Sequence, residues 1–265
     1  MQAQIDGSRV SWSEAGGQSE NVIVLVHGFP FNSAMWGPQL EDPPPHWRMI
    51  APDLRGFGAS EASSAPQTMD GYAQDLAALL NHLGIHEAVL CGLSMGGYVV
   101  FAFLRRHLRM ARGLVLCDTR AEGDSSETRE TRKQLALRTR QQGVGAVIDS
   151  MLPRLLGRSS YGTAVETRVR QMIESSQPES IVSALRAMAT RPDSTALLRH
   201  LGMLPTQVIV GADDVLTPVG EARLMARAIP GAFIETIPDA GHVPNLEQPR
   251  AFNGVLHRFL DGLLV

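Results

Sequence analysis

"AVLCGLSMGGYVV", residues 88–100, is the stretch on which the reading of the fold turns. Strand-forming residues lead into Gly92, Ser94, Gly96 and Gly97, with only Leu93 and Met95 between them, and apolar residues resume at once. A surface turn usually brings Asn, Asp or Pro instead. A strand, then G-x-S-x-G, then a helix is the setting of a nucleophile elbow, a turn so sharp that the serine is strained and its neighbours must be small. The Ser94 hydroxyl would then stand above the sheet at a helix N-terminus. Backbone N–H groups and the helix dipole favour developing negative charge there. The alternative is a merely structural tight turn, and the rest of the chain has to supply the serine's partners.

Outward from this turn, short apolar strands alternate with helices. "QAQIDGSRVSWSE" reads as two strands around Asp6-Gly7, and "NVIVLVHGF" and "RMIAPDLRGFG" each give an apolar strand followed by a glycine-containing loop. "TMDGYAQDLAALLNHLGI" has helical spacing through Tyr72, Leu76, Leu79, Leu80 and Leu83, closed by Gly84. "EAVLCG" is a strand, "GGYVVFAFLRRH" a helix and "GLVLCD" a strand. Such alternation predicts a mostly parallel sheet covered on both faces. From Thr119 to Leu201 no good strand occurs, and several helices are expected there as an inserted lid. Alternation resumes at "TQVIVGADD", "GEARLMARAI" and "AFIETIP", and a last helix runs through "PRAFNGVLHRFLDGL". The expected organisation is a core of residues 1–118 and 202–265 with a helical lid at 119–201.

A serine hydroxyl needs a base, and the base needs an orienting acid. "TQVIVGADDVLTP" offers Asp213 and Asp214 after a late strand, and "IETIPDAGHVPNLEQP" offers His242 after the last one. A helix cap would explain either aspartate alone, and a surface loop would explain the histidine alone. The order serine, aspartate, histidine is that of an elbow-type hydrolase, and spacing alone does not choose between the two aspartates.

Composition narrows the function classes. A formal net charge of -3 argues against a general nucleic-acid binder. No apolar run reaches membrane-span length, and "MQAQIDGSRVSWSEAGG" shows no secretory signal, so a cytoplasmic protein is expected. Cys91 and Cys117 are expected as buried free thiols. No His, Cys or carboxylate cluster has metal-ligand spacing, and "GLSMGG" is not a dinucleotide fingerprint, so no metal or cofactor is expected. The "ETRETRK" run reads as a solvated helix face held by charge pairs. Asp53 and Arg55 read as a loop-fixing ion pair, and the histidines at 46, 82, 86, 107, 200 and 257 as solvated or packed.

Together, "VLVHGFPFNSAMW", "APDLRGFGAS", "GLSMGG", "GADDVLTP" and "AGHVPNLEQP" resemble, in order and spacing, the blocks of the α/β-hydrolase superfamily. "SMGGYV" and "LCDTRAEGDSSETRETR" are most similar to small bacterial esterases and 3-oxoadipate enol-lactonases. The resemblance implies an α/β-hydrolase fold with Ser94 as nucleophile, His242 as base and Asp214, rather than Asp213, as acid. It also implies an oxyanion hole from the backbone N–H groups of Phe29 and Met95, with His27 bracing that loop. A pocket between lid and sheet is expected, walled by Phe29, Phe31, Trp36 and Met95 below and by Met151, Leu152, Leu155 and Leu156 above, although helix-core packing explains the lid residues equally well. An apolar wall would suit a neutral small-molecule ester or lactone. An enol-lactonase must also hold a carboxylate, for which Arg120, Arg138, Arg140, Arg154 and Arg158 are candidates. The expected reaction is ester or lactone hydrolysis through an acyl-enzyme. The alternatives are 3-oxoadipate enol-lactone hydrolysis, C–C bond hydrolysis with the same triad, and a non-catalytic ligand-binding protein on this scaffold. Oligomeric state is not legible in the sequence.

Overall fold

The structure, a computed structural model, describes residues 1–63 and 67–264. Residues 64–66 and 265 of the expected core segments lie outside the described residues. Eight strands form one sheet: β1 (Gln2–Ile5), β2 (Ser8–Ala15), β3 (Val22–Val26), β4 (Arg48–Pro52), β5 (Ala88–Leu93), β6 (Ala111–Cys117), β7 (Thr206–Gly211) and β8 (Phe233–Ile237). Their order is β1-β2-β4-β3-β5-β6-β7-β8. β1 and β2 pair antiparallel, as do β2 and β4, and every pair from β4 to β8 is parallel. Every residue of β3, β5 and β7 is buried, which requires cover on both faces and explains their unbroken apolar runs. The edge strands β1 and β8 are mostly unburied, and Phe233 of β8 is exposed.

Helix α1 (Met69–His82) and helix α2 (Met95–His107) follow the predicted spacing. The Thr68 side chain caps α1 through Gly71 N–H, and Gly84 lies just beyond its end with φ +67°. Between β6 and β7 the described residues form helices only: α3 (Ser126–Gln142), α4 (Gly145–Leu155), α5 (Ala164–Glu174) and α6 (Pro178–Ala189), with shorter turns. Helices α7 (Val219–Ala228) and α8 (Pro249–Asp261) complete the chain. Cys91 and Cys117 are buried free thiols whose sulfurs lie 3.9 Å apart across β5 and β6.

The turn from β5 into α2 is tight. Ser94 has φ +54° and ψ -114°, a conformation that costs a non-glycine residue on the order of 1–3 kcal/mol. Two bonds hold it there: Ser94 N–H donates to Cys117 O at 2.9 Å, and Thr119 Oγ1 donates to Ser94 O at 2.7 Å. The glycines permit the approach. A Cβ on Gly92 would lie 2.6 Å from the Gly96 carbonyl carbon, and one on Gly96 would run into the Val26 carbonyl of β3. Gly96→Ala should therefore force β3 and α2 apart, destabilising the fold by about 2 kcal/mol or more. Equilibrium urea unfolding measures this, and wild-type stability in the variant would show that the close contact is not required.

Candidate active site

The structure brings the three residues picked out in order along the chain into one hydrogen-bonded line. Ser94 Oγ lies 2.8 Å from His242 Nε2, and His242 Nδ1 lies 2.8 Å from Asp214 Oδ2. Asp214 and His242 are buried, and Ser94 is partly open. Asp213 is exposed and takes no part, so contact selects the aspartate that spacing could not.

Asp214 begins the loop after β7 and folds back on it. Its Oδ1 accepts Leu216 N–H at 2.7 Å and Thr217 N–H at 3.1 Å, and its Oδ2 accepts the Thr217 hydroxyl at 2.5 Å. Burial by itself raises a carboxyl's pKa. Here the charge of His242 and the bonds from His242 and Thr217 outweigh burial and hold Asp214 well below the ordinary carboxylate range. Thr217 sits in the "LTP" that follows the two aspartates, but nothing in that tripeptide announces a donor to the acid.

His242 is placed by its backbone as well as its ring. Its N–H donates to Leu155 O at 2.9 Å, at the C-terminus of α4. Beside it, Glu247 accepts Gly157 N–H, the Ser160 hydroxyl and Gly241 N–H, each at 2.7 Å. Burial raises the Glu247 carboxyl, and these donors act against it without cancelling the effect. Glu247 thus fastens the residues after α4 to the His242 loop, a role the sequence hides because the contact spans 90 residues.

Of the two main-chain donors expected for an oxyanion, Met95 directly follows the serine and Phe29 lines the same cavity. Met95 opens α2 and Phe29 follows β3 in the loop His27-Gly28. Neither N–H is taken by a protein acceptor among the described residues. His27 is fully buried, with Nδ1 2.9 Å from Gly28 O and Nε2 accepting Leu54 N–H at 3.0 Å, as expected of a brace. Burial lowers its pKa, which suits a neutral ring with one donor and one acceptor. The Asp53–Arg55 pair does not form. Asp53 accepts Ser33 N–H and Ala59 N–H at 2.8 and 2.9 Å, while Arg55 reaches across to Asp75 of α1. Backbone donors inside the loop satisfy Asp53 first.

A cavity of ≈ 270 Å³ opens on Ser94 and His242. Phe29 and Met151 line it as expected. Phe31, Trp36, Met95, Leu152, Leu155 and Leu156 do not. Phe31 and Trp36 are fully buried in the core, with Trp36 packed 6.1 Å from the Phe252 ring. Leu152 and Leu155 lie on the inward face of α4, so helix-core packing is their role. The wall is mixed rather than apolar. Thr128, Thr131, Arg132 and Leu135 form an i, i+3, i+4, i+7 stripe of α3 along the cavity. Only the opposite side of "ETRETRK" is the expected solvated face, with Glu130 and Lys133 3.5 Å apart. Arg132 and Arg191 both pair with Asp124, at 2.6 and 2.5 Å, and the Arg191 guanidinium stacks 3.9 Å from the Tyr98 ring. Of the five arginines considered, Arg120 and Arg154 line the cavity; Arg138, Arg140 and Arg158 do not. Arg120 pairs with Glu221 at 3.0 Å, whereas Arg154 has no carboxylate partner among the described residues. None of the other six histidines mentioned above lines the cavity.

Asp118, Asp214 and His242 bring ligand-type atoms within 4.8 Å of one another, a grouping invisible in the sequence because three different strands deliver it. The mutual bonds of Asp214 and His242 already use the atoms a metal would need.

The alpha/beta hydrolase fold model matches residues 21–249. A thermophilic esterase from Thermogutta terrifontis, solved with malate bound, superposes with a TM-score of 0.95 at 42% identity, covering 99% of each chain. The enol-lactonase from Burkholderia xenovorans superposes with a TM-score of 0.90 at 29% identity, over 98% of this chain and 100% of that one. The 3-oxoadipate enol-lactonase 2 of Acinetobacter baylyi is 26% identical over 94% of both chains. No helix among the described residues is long and apolar enough to cross a membrane.

Removing the Glu247 carboxylate orphans three donors, at about 1 kcal/mol or more each. Glu247→Ala should lower Tm by about 6 °C or more, read by a thermal melt. An unchanged Tm would mean the fastening is incidental. The chain belongs to the alpha/beta hydrolase fold family.

Proposed function

We propose that the protein hydrolyses carboxylic esters or lactones through an acyl-enzyme on Ser94. The observation that carries this reading is the Ser94–His242–Asp214 line opening on a cavity of ≈ 270 Å³. Ser94 Oγ attacks the acyl carbon as His242 Nε2 takes its proton. The tetrahedral oxyanion is met by the N–H groups of Phe29 and Met95, each such donor contributing about 3 kcal/mol. His242 returns the proton to the leaving oxygen. Water then enters by the same base and releases the acid. Asp214 keeps His242 in the tautomer that leaves Nε2 free to accept, and stabilises the cation that forms.

Esterases and enol-lactonases among the relatives favour this reaction class over C–C hydrolysis or simple binding. The panel that tests it holds p-nitrophenyl acetate, butyrate and octanoate, with Ser94→Ala as control. Turnover lost in that variant supports the reading, and a folded protein inert to every ester and to a fluorophosphonate probe would overturn it. Asp214→Asn should lower kcat about 10⁴-fold with the fold intact, while Asp213→Asn should leave it unchanged. The reverse result would move the acid role to Asp213.

A second reading rests on Arg154. An unpaired guanidinium on the cavity wall suits a substrate that also carries a carboxylate, as an enol-lactone of 3-oxoadipate does. Arg154→Ala should raise KM for that lactone about tenfold or more and leave p-nitrophenyl butyrate untouched. Equal effects on both substrates would remove the carboxylate from this reading.

A further inference from the structure

Asp118 directly follows β6, in a left-handed conformation with φ +44°, and is 1% exposed. Its N–H donates to Ile209 O at 3.0 Å, and its Oδ1 accepts Gly211 N–H at 2.8 Å, so two bonds to β7 fix its position. Its Oδ2 is buried with no hydrogen-bond partner. The ionisable groups facing it are Asp214 after β7, His242 after β8, Glu247 on the short helix Pro244–Glu247, and Cys117 on its own strand. No arginine or lysine bonds to it among the described residues.

An ionised Asp118 would set a second buried carboxylate beside Asp214, with one oxygen lacking any donor. That is costly on both counts. A hydrogen on Oδ2 removes both costs, because the orphan acceptor becomes a donor facing a carboxylate. We propose that Asp118 is held as an unionised carboxylic acid that donates a hydrogen bond to the Asp214 carboxylate, and so acts as a positioning residue for the Ser94–His242–Asp214 line. Burial first, and then the charge of Asp214, push its carboxyl well above the usual range, against the Gly211 N–H that favours the ion. This rests on reading those three residues as the reacting groups. The added donor spreads the Asp214 charge and limits how strongly it stabilises protonated His242, which keeps the base available at lower pH.

Asn in place of Asp118 keeps an acceptor for Gly211 and a donor for Asp214. Asp118→Asn should therefore retain kcat/KM within about threefold, with the acid limb of its pH profile unmoved. Asp118→Ala removes the donor, and its acid limb should move to higher pH by about half a unit or more. The infrared difference spectrum of wild type minus Asp118→Asn, at neutral pH, should show the carbonyl stretch of an unionised carboxylic acid. Absence of that band, an acid limb shifted to lower pH in Asp118→Asn as loss of a negative charge requires, or an Asp118→Ala profile matching wild type would each overturn the proposal. The infrared reading needs neither turnover nor a folded alanine variant. A protein that shows the band but hydrolyses no ester would overturn the ester reading and leave the hydrogen bond standing.

Discussion

Three strands have to converge at the Ser94 turn before anything else in the site can be placed. The left-handed backbone of Ser94 persists because Cys117 O of β6 and the Thr119 hydroxyl hold its two ends. It also needs Gly92 and Gly96 to let α2 lie against β5 and the end of β3. With a Cβ at either glycine the helix must lift off the sheet. The turn that carries Ser94 and Met95 would then shift against the loop after β3, which approaches it at Gly28.

The partners of Ser94 arrive on loops that the sheet aims but does not fix. Fixation comes from hydrogen bonds to backbone. Asp214 is tied by the N–H groups of its own loop, and His242 by Leu155 O and by the Glu247 bonds to Gly241, Gly157 and Ser160. The helices between β6 and β7 are therefore bound at their base to the histidine loop, so anything that moves α4 also moves the proposed base. The same helices give the cavity its polar wall. Asp124 there answers two guanidiniums, those of Arg132 and Arg191, while Arg154 has no carboxylate partner among the described residues.

The elements of the sheet and the serine, aspartate and histidine were legible because each is a local pattern: an unbroken apolar run, a glycine-flanked serine, a polar residue just past a strand. Which aspartate faces the histidine was not, since adjacent residues on a loop point in different directions and only the bonds from Leu216 and Thr217 decide it. The cavity lining is less legible, for a physical reason. Phe31, Trp36, Leu152 and Leu155 are apolar, and such residues fill a core before they line a cavity. The stripe Thr128, Thr131, Arg132 and Leu135 is hidden in the sequence because three polar residues and one leucine inside a charged helix carry no hydrophobic signal. Asp118 and Glu247 act through residues distant in sequence, which no local pattern encodes.

The most direct measurement of the central claim is intact-protein and peptide mass spectrometry of an acid-quenched mixture with p-nitrophenyl butyrate, taken within the first turnover. An acyl-enzyme on Ser94 predicts a butyryl adduct, carried by the peptide that contains "GLSMGG" and absent from Ser94→Ala. Turnover with no adduct, or with the adduct on another residue, would contradict it.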